Sequence, residues 1–192
     1  MSLQNTHKHY GSVTIILHWI CAIAVIGMFT LGLWMTSLEY YDPWYHKGPN
    51  LHRSTGILLM LLFLLRFIWR QLNLRPEPIG QAWEQAIAEL VHRSIYLLIV
   101  AIGTSGYLIS TADGHSLSVF GWFEIPALIT SIERLEDIAG TIHLTLAITL
   151  ITVAALHALA AFKHHFVNRD PTLTRMLRSA ADRIKSDEST QR

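Results

Sequence analysis

His143 and His157 stand fourteen residues apart inside one apolar stretch, about residues 138–162, of a 192-residue chain. On a helix such a pair is separated by about 21 Å along the axis and lies within about 40° of one face. Leu150 is midway between them, so each ring sits about 10 Å from the helix centre. Two more histidines, His18 and His52, fall within or at the edge of other apolar stretches. A polar ring inside a bilayer is costly, which makes an intramembrane histidine a functional candidate by default. Four histidines at two depths give two per depth. A zinc or copper ion would usually need four protein ligands, and no intramembrane carboxylate or second cysteine completes such a set. Haem brings four equatorial nitrogens and needs only two axial ligands. With both axial positions taken by histidine, the iron is suited to passing single electrons, and two such haems across one bilayer make an electron path.

The elements that must hold these rings follow from composition. Hydrophobic residues make up 51% of the chain and charged ones 15%, with six tryptophans, which is not the balance of a water-soluble domain. Stretches at about 13–35 and 138–162 are long enough alone to cross a bilayer as helices, and those at 56–68 and 95–109 reach that length with their flanks. The expected fold is an all-α membrane protein. It is a four-transmembrane-helix bundle in one integral-membrane domain over 1–192, with spans at about 12–36, 51–70, 88–110 and 138–163. The first stretch is too long for a cleaved signal peptide, and no small-residue cleavage site follows it. Cys21 stands alone, so neither a disulfide nor covalent haem attachment is expected. Asp170-Pro171 reads as a helix cap followed by Pro at the first helical position. Leu173, Met176, Leu177, Ala180, Ala181 and Ile184 then recur at helical spacing among basic residues. That pattern predicts a C-terminal amphipathic interfacial helix over 170–185 on the cytoplasmic side. The aromatic loop from Thr111 to about Asp137 is expected to fold back over the outer face.

Twelve of the fifteen Lys and Arg residues fall in the N-terminal tail, the second connection and the C-terminal tail. The positive-inside rule therefore predicts that both termini are cytoplasmic. Helices two and four then enter from outside, which sets His52 level with His143. Helix one enters from inside, which sets His18 level with His157. Small residues, Gly27, Gly32, Gly56, Gly103, Gly106 and Gly140, make room for a ring between facing helices or simply allow close helix packing.

The ordered set "LHW" (17–19), "LHRSTGILL" (51–59), "VHRSIYLL" (91–98), "VFG" (119–121), "IH" (142–143), "LHALAAFKHHF" (156–166) and "PTLTRM" (171–176) resembles the bacterial cytochrome b561 family over about residues 10–178. The resemblance implies four helices and two non-covalent b haems. It implies an inner haem on His18 and His157 and an outer haem on His52 and His143. It also implies a multi-pass protein of the bacterial inner membrane that exchanges electrons between a periplasmic donor and membrane quinone.

The remaining polar candidates are assigned around that frame. Arg53 is a candidate for a haem propionate, since Arg offers paired donors to carboxylates, while Arg66 and Arg70 are expected to snorkel to the inner surface. His92 reads as an interfacial ring or as a propionate or quinone contact. His164, two turns beyond His157 and within about 20° of its face, is a candidate for a quinone hydrogen bond or a proton relay; His165 points elsewhere. Superoxide is one candidate donor, although the outer segments carry seven acidic and three basic residues. Alternatives are a haem-bearing membrane anchor for a periplasmic dehydrogenase or redox partner, and a haem-free histidine-lined metal or proton transporter. Lipid, quinone and a periplasmic donor are the expected partners, and nucleic acid is not. The residues leave open whether the chain is an electron carrier or an enzyme of quinone oxidoreductase type.

Overall fold

The computed structural model describes residues 3–130 and 132–178. Four helices carry the chain: α1 (Ser12–Met35), α2 (Lys47–Leu72), α3 (Ala82–Thr111) and α4 (Leu135–Lys163). All four are long and apolar enough to cross a membrane. Their surfaces are those of lipid-facing helices, with large side chains such as Ile23, Leu97 and Leu156 more than half exposed. Backbone groups in a bilayer must be satisfied within the chain, and α4 extends this economy to its side chains. Thr141, Thr145, Thr149 and Thr152 each donate a hydroxyl to the carbonyl four residues back, at 2.8–3.0 Å.

Helices α2 and α3 begin before their apolar stretches do. Pro49 falls in the first turn of α2, where a missing N–H is tolerated, so the helix starts at Lys47. At the start of α3, Gly80 has φ 90° and the Gln81 N–H donates to Glu84 Oε2 at 3.0 Å. A side chain reaching back three residues in this way caps an otherwise unsatisfied first turn.

The loop before α4 contains a short antiparallel hairpin, β1 (Leu117–Val119) with β2 (Phe123–Ile125). Two of its three turn residues, Phe120 (φ 52°) and Gly121 (φ 72°), have positive φ, the geometry that matches strand twist. The left-handed region is unfavourable for a bulky side chain. Here the Phe120 N–H is held by Ser54 Oγ at 3.2 Å, and Leu117 and Val119, the two ends of β1, are fully buried.

Of the described residues, 3–22, 62–93 and 154–178 form one compact unit, and 23–61 with 94–153 form another. In the first unit the tails are knitted to the α2–α3 connection. Asn5 Nδ2 donates to the Leu74 carbonyl at 2.8 Å, the Glu77 N–H donates to the His7 carbonyl at 2.9 Å, and Arg175 Nη1 donates to the Glu77 carbonyl at 2.8 Å. The Trp19 indole donates to the Met176 carbonyl at 2.7 Å. After α4 the chain makes a π turn, His164–Asn168, then a 3-10 turn, Thr174–Met176. Of the amphipathic helix expected over 170–185, the described residues 170–178 form only this three-residue 3-10 turn, and residues 179–185 lie outside the described residues.

Candidate functional site

In the second unit, α2 carries His52 and α4 carries His143, with ring centroids 6.1 Å apart at 73°. His143 Nδ1 lies 3.0 Å from the Ile102 carbonyl and 3.1 Å from Ser105 Oγ. The carbonyl can only accept, so Nδ1 carries the hydrogen and Nε2 keeps its lone pair, the tautomer a metal ligand requires. His52 Nδ1 is buried without a hydrogen-bond partner among the described residues. Two glycines seat these rings. A Cβ on Gly32 would stand 3.2 Å from His52 Cε1, and one on Gly106 would stand 3.1 Å from His143 Cε1.

The first unit holds the corresponding pair, His18 on α1 and His157 on α4, at 6.5 Å and 75°. Two imidazoles bound on opposite sides of one ion, by nitrogens about 2 Å from it, put their ring centroids about 6–6.5 Å apart. Both pairs match that separation. His92, on α3, is 5.1 Å from His157, closer than two imidazoles stand when they hold one ion from opposite sides, so it is a neighbour of the pair. Arg66 departs from expectation. Instead of snorkelling outward, its Nη2 lies 3.1 Å from His18 Nδ1, because a guanidinium among helices takes the nearest acceptor. Accepting there leaves the neutral His18 ring with its proton on Nε2. Ligation through Nε2 therefore requires Arg66 to release it, which frees a cation beside the pair for a propionate.

The sequence profile of the prokaryotic cytochrome b561 family matches residues 9–179. The chain belongs to the prokaryotic cytochrome b561 family. It is 47% identical to cytochrome b561 homolog 2 of Escherichia coli, over 95% of this chain and 98% of that one. It is 33% identical to the probable superoxide oxidase CybB of Yersinia pestis, over 89% and 97% of the two chains. Cytochrome b561 homolog 1 of Escherichia coli is 27% identical over 88% and 97%. As a member of this family the chain is a multi-pass inner-membrane haem b protein of electron transport, and a haem-free transporter is set aside.

In this cytochrome the other candidates fall into two groups. Near His52, the Arg53 guanidinium is bonded to Asn50 Oδ1, and its buried Nε has no hydrogen-bond partner among the described residues. Arg53, Lys47, Asn50, Ser54, Ser118 and Phe120 line a cavity of about 390 Å³. In the first unit, His164 is bonded to Asp170, while His165 packs edge-on against Phe166. Of the six glycines that could make room, Gly32 and Gly106 touch the rings, Gly103 faces Met60, Gly56 faces Met28, and Gly27 and Gly140 face open space.

Sequence reasoning missed Ser105, whose only signal was a hydroxyl next to Gly106. Removing an outer partner of a ligating histidine commonly weakens a site 10–100-fold. Because the Ile102 carbonyl remains, Ser105→Ala is expected to release haem about ten-fold more readily, measured as transfer to a haem-scavenging protein.

Proposed function

We propose that this cytochrome carries electrons from a donor on the outer face, through two b haems, to membrane quinone. The outer haem is held by His52 and His143, the inner by His18 and His157, with both termini cytoplasmic. The observation that carries the reading is the matched separation of the two histidine pairs. Haem supplies one-electron redox chemistry when bound; the protein's residues do the rest. The Ile102 carbonyl and Ser105 fix the His143 tautomer, and Gly32 and Gly106 let the rings lie close to the helices. Arg53 and Arg66 offer cations to propionates, and His92 and His164 are the candidates for meeting quinone on the inner side. Mixing dithionite-reduced protein with a short-chain ubiquinone in a stopped-flow instrument tests the acceptor. Reoxidation of both haems is expected, and reduced haem that persists for minutes contradicts it.

Superoxide as the donor is supported by one local feature. The outer segments are acidic as a whole, yet Lys47 and Arg53, two of their three cations, meet at one cavity. A positive cleft speeds the encounter of an anion. Charge reversal at Lys47 is then expected to slow haem reduction by superoxide about ten-fold at low salt and less at high salt. An unchanged rate removes this cavity as the entry point of superoxide, and absence of haem reduction by superoxide in the wild type removes superoxide in favour of a docked protein donor.

A further inference from the structure

The end of α4 leaves α-helical geometry where charged side chains gather. The π turn His164–Asn168 is stopped by Arg169 at φ 56°, and Asp170 is brought back beside the turn. Its Oδ2 lies 2.6 Å from His164 Nδ1, and its N–H donates to the His164 carbonyl at 3.1 Å. Single π turns concentrate at functional sites. On the opposite side of the ring, His164 Nε2 lies 4.0 Å from Glu84 Oε1, the oxygen that also holds Lys163 Nζ at 3.0 Å. The Asn168 amide, 3.1 Å from Nδ1, completes the surroundings.

The side chains of His164, Asp170 and Glu84 are 16%, 17% and 12% exposed, so the imidazole is bracketed by two carboxylates largely away from water. Burial works to raise the Asp170 carboxyl, but bonds from the Thr172 hydroxyl and amide, with His164, hold it below the usual carboxylate range. Asp170 is therefore an anion at neutral pH. Its two oxygens have separate tasks. Oδ1 accepts the Thr172 N–H at 2.9 Å, which is all that capping the next turn requires, while Oδ2 is committed to the imidazole.

We propose that Asp170 is the positioning carboxylate of a proton relay, holding His164 so that Nε2 serves a bound quinone, with Glu84 and Lys163 flanking it. The proposal rests on the reading that quinone is the electron acceptor. Quinone becomes quinol by taking two electrons, supplied by the reduced b haems, and two protons. For each proton delivered by His164, its Nε2–H bond breaks and an O–H bond forms on the quinone. His164 then takes its next proton from the aqueous side, and Asp170 stabilises the ring whenever it is doubly protonated and charged.

The test uses the full-length, haem-loaded protein in nanodiscs, reduced with dithionite and mixed with a short-chain ubiquinone from about pH 5 to about pH 10, which brackets the ordinary imidazole value. The wild-type rate is expected to fall on the alkaline side as the ring loses its proton. Loss of an opposite charge in contact disfavours the charged form, so Asp170→Asn should move that fall to lower pH by about one unit. Between the two limbs the rate should drop about ten-fold, with an unchanged haem spectrum, and Asp170→Glu should restore the profile. His164→Gln, which leaves the cap on Thr172 intact, should abolish the alkaline limb even if Asp170→Asn fails to load haem. Identical pH profiles in wild type and loaded Asp170→Asn, or a limb retained in His164→Gln, overturn the relay alone. Absence of haem reoxidation by quinone in the wild type at every pH overturns the acceptor reading and the relay with it.

Discussion

In the proposed two-haem arrangement, replacing His143 with alanine lowers the haem content from about two per chain to about one, because each iron would depend on two imidazoles. His52→Ala should give the same loss, and the same residual spectrum, since the two rings stand 6.1 Å apart as one pair. His18→Ala and His157→Ala should remove the other haem. The four variants thus sort into two classes by what survives. Pyridine haemochromogen counts and redox titration of each variant check this directly. A different grouping, such as His52 with His157, would refute the pairing. His92→Ala is the control: its ring is too near His157 for the two to hold one ion from opposite sides, and both haems should survive.

The second large effect is expected at a residue with no side chain. Gly106→Val would place a Cβ 3.1 Å from His143 Cε1 and 3.3 Å from Nδ1, with two further methyl groups behind it. The ring must then swing off its bonds to Ile102 and Ser105, whereas a bound site must be held within about 0.5 Å of its working geometry. We expect occupancy of the His52–His143 haem to fall at least about ten-fold, with the other haem retained. Helix weakening does not account for such a loss, because valine is a better helix former than glycine. Gly140→Val, on α4 with nothing within 4 Å of its Cβ, should load both haems normally. Equal haem loading in Gly106→Val and wild type would show that the His143 ring is not seated against α3.

The four helices were legible because lipid leaves little choice: a long apolar run with satisfied backbone bonds must be a helix or a closed barrel. That His52 neighbours His143 and His18 neighbours His157 was legible because one helix sets the distance from His143 to His157 and each of the other two rings lies towards one end of its own helix. What escaped was local. The hairpin has strands of only three residues, too short to show alternation. Its turn also places Phe120 at positive φ, where Asn or Gly would have signalled it. Arg66 looked like a surface cation because nothing in its own helix shows that α1 presents an acceptor to it. Asp170 was read as a helix cap; one of its oxygens instead accepts the Thr172 N–H in a turn, and the 3-10 turn that follows begins at Thr174. The second Asp170 oxygen reaches His164 only because a π turn shortens the return path, and π turns have no signature in sequence. Ser105 and Glu84 likewise acquire their roles from a neighbouring helix.

The most direct test of the electron path is a redox-resolved visible spectrum of the purified protein, with a count of haems per chain. Two spectrally low-spin b haems per chain, titrating as separate one-electron components and both reoxidised on adding quinone, are what two bis-histidine sites in series predict. A colourless protein, a single haem per chain, or a high-spin iron with an open coordination position would contradict it.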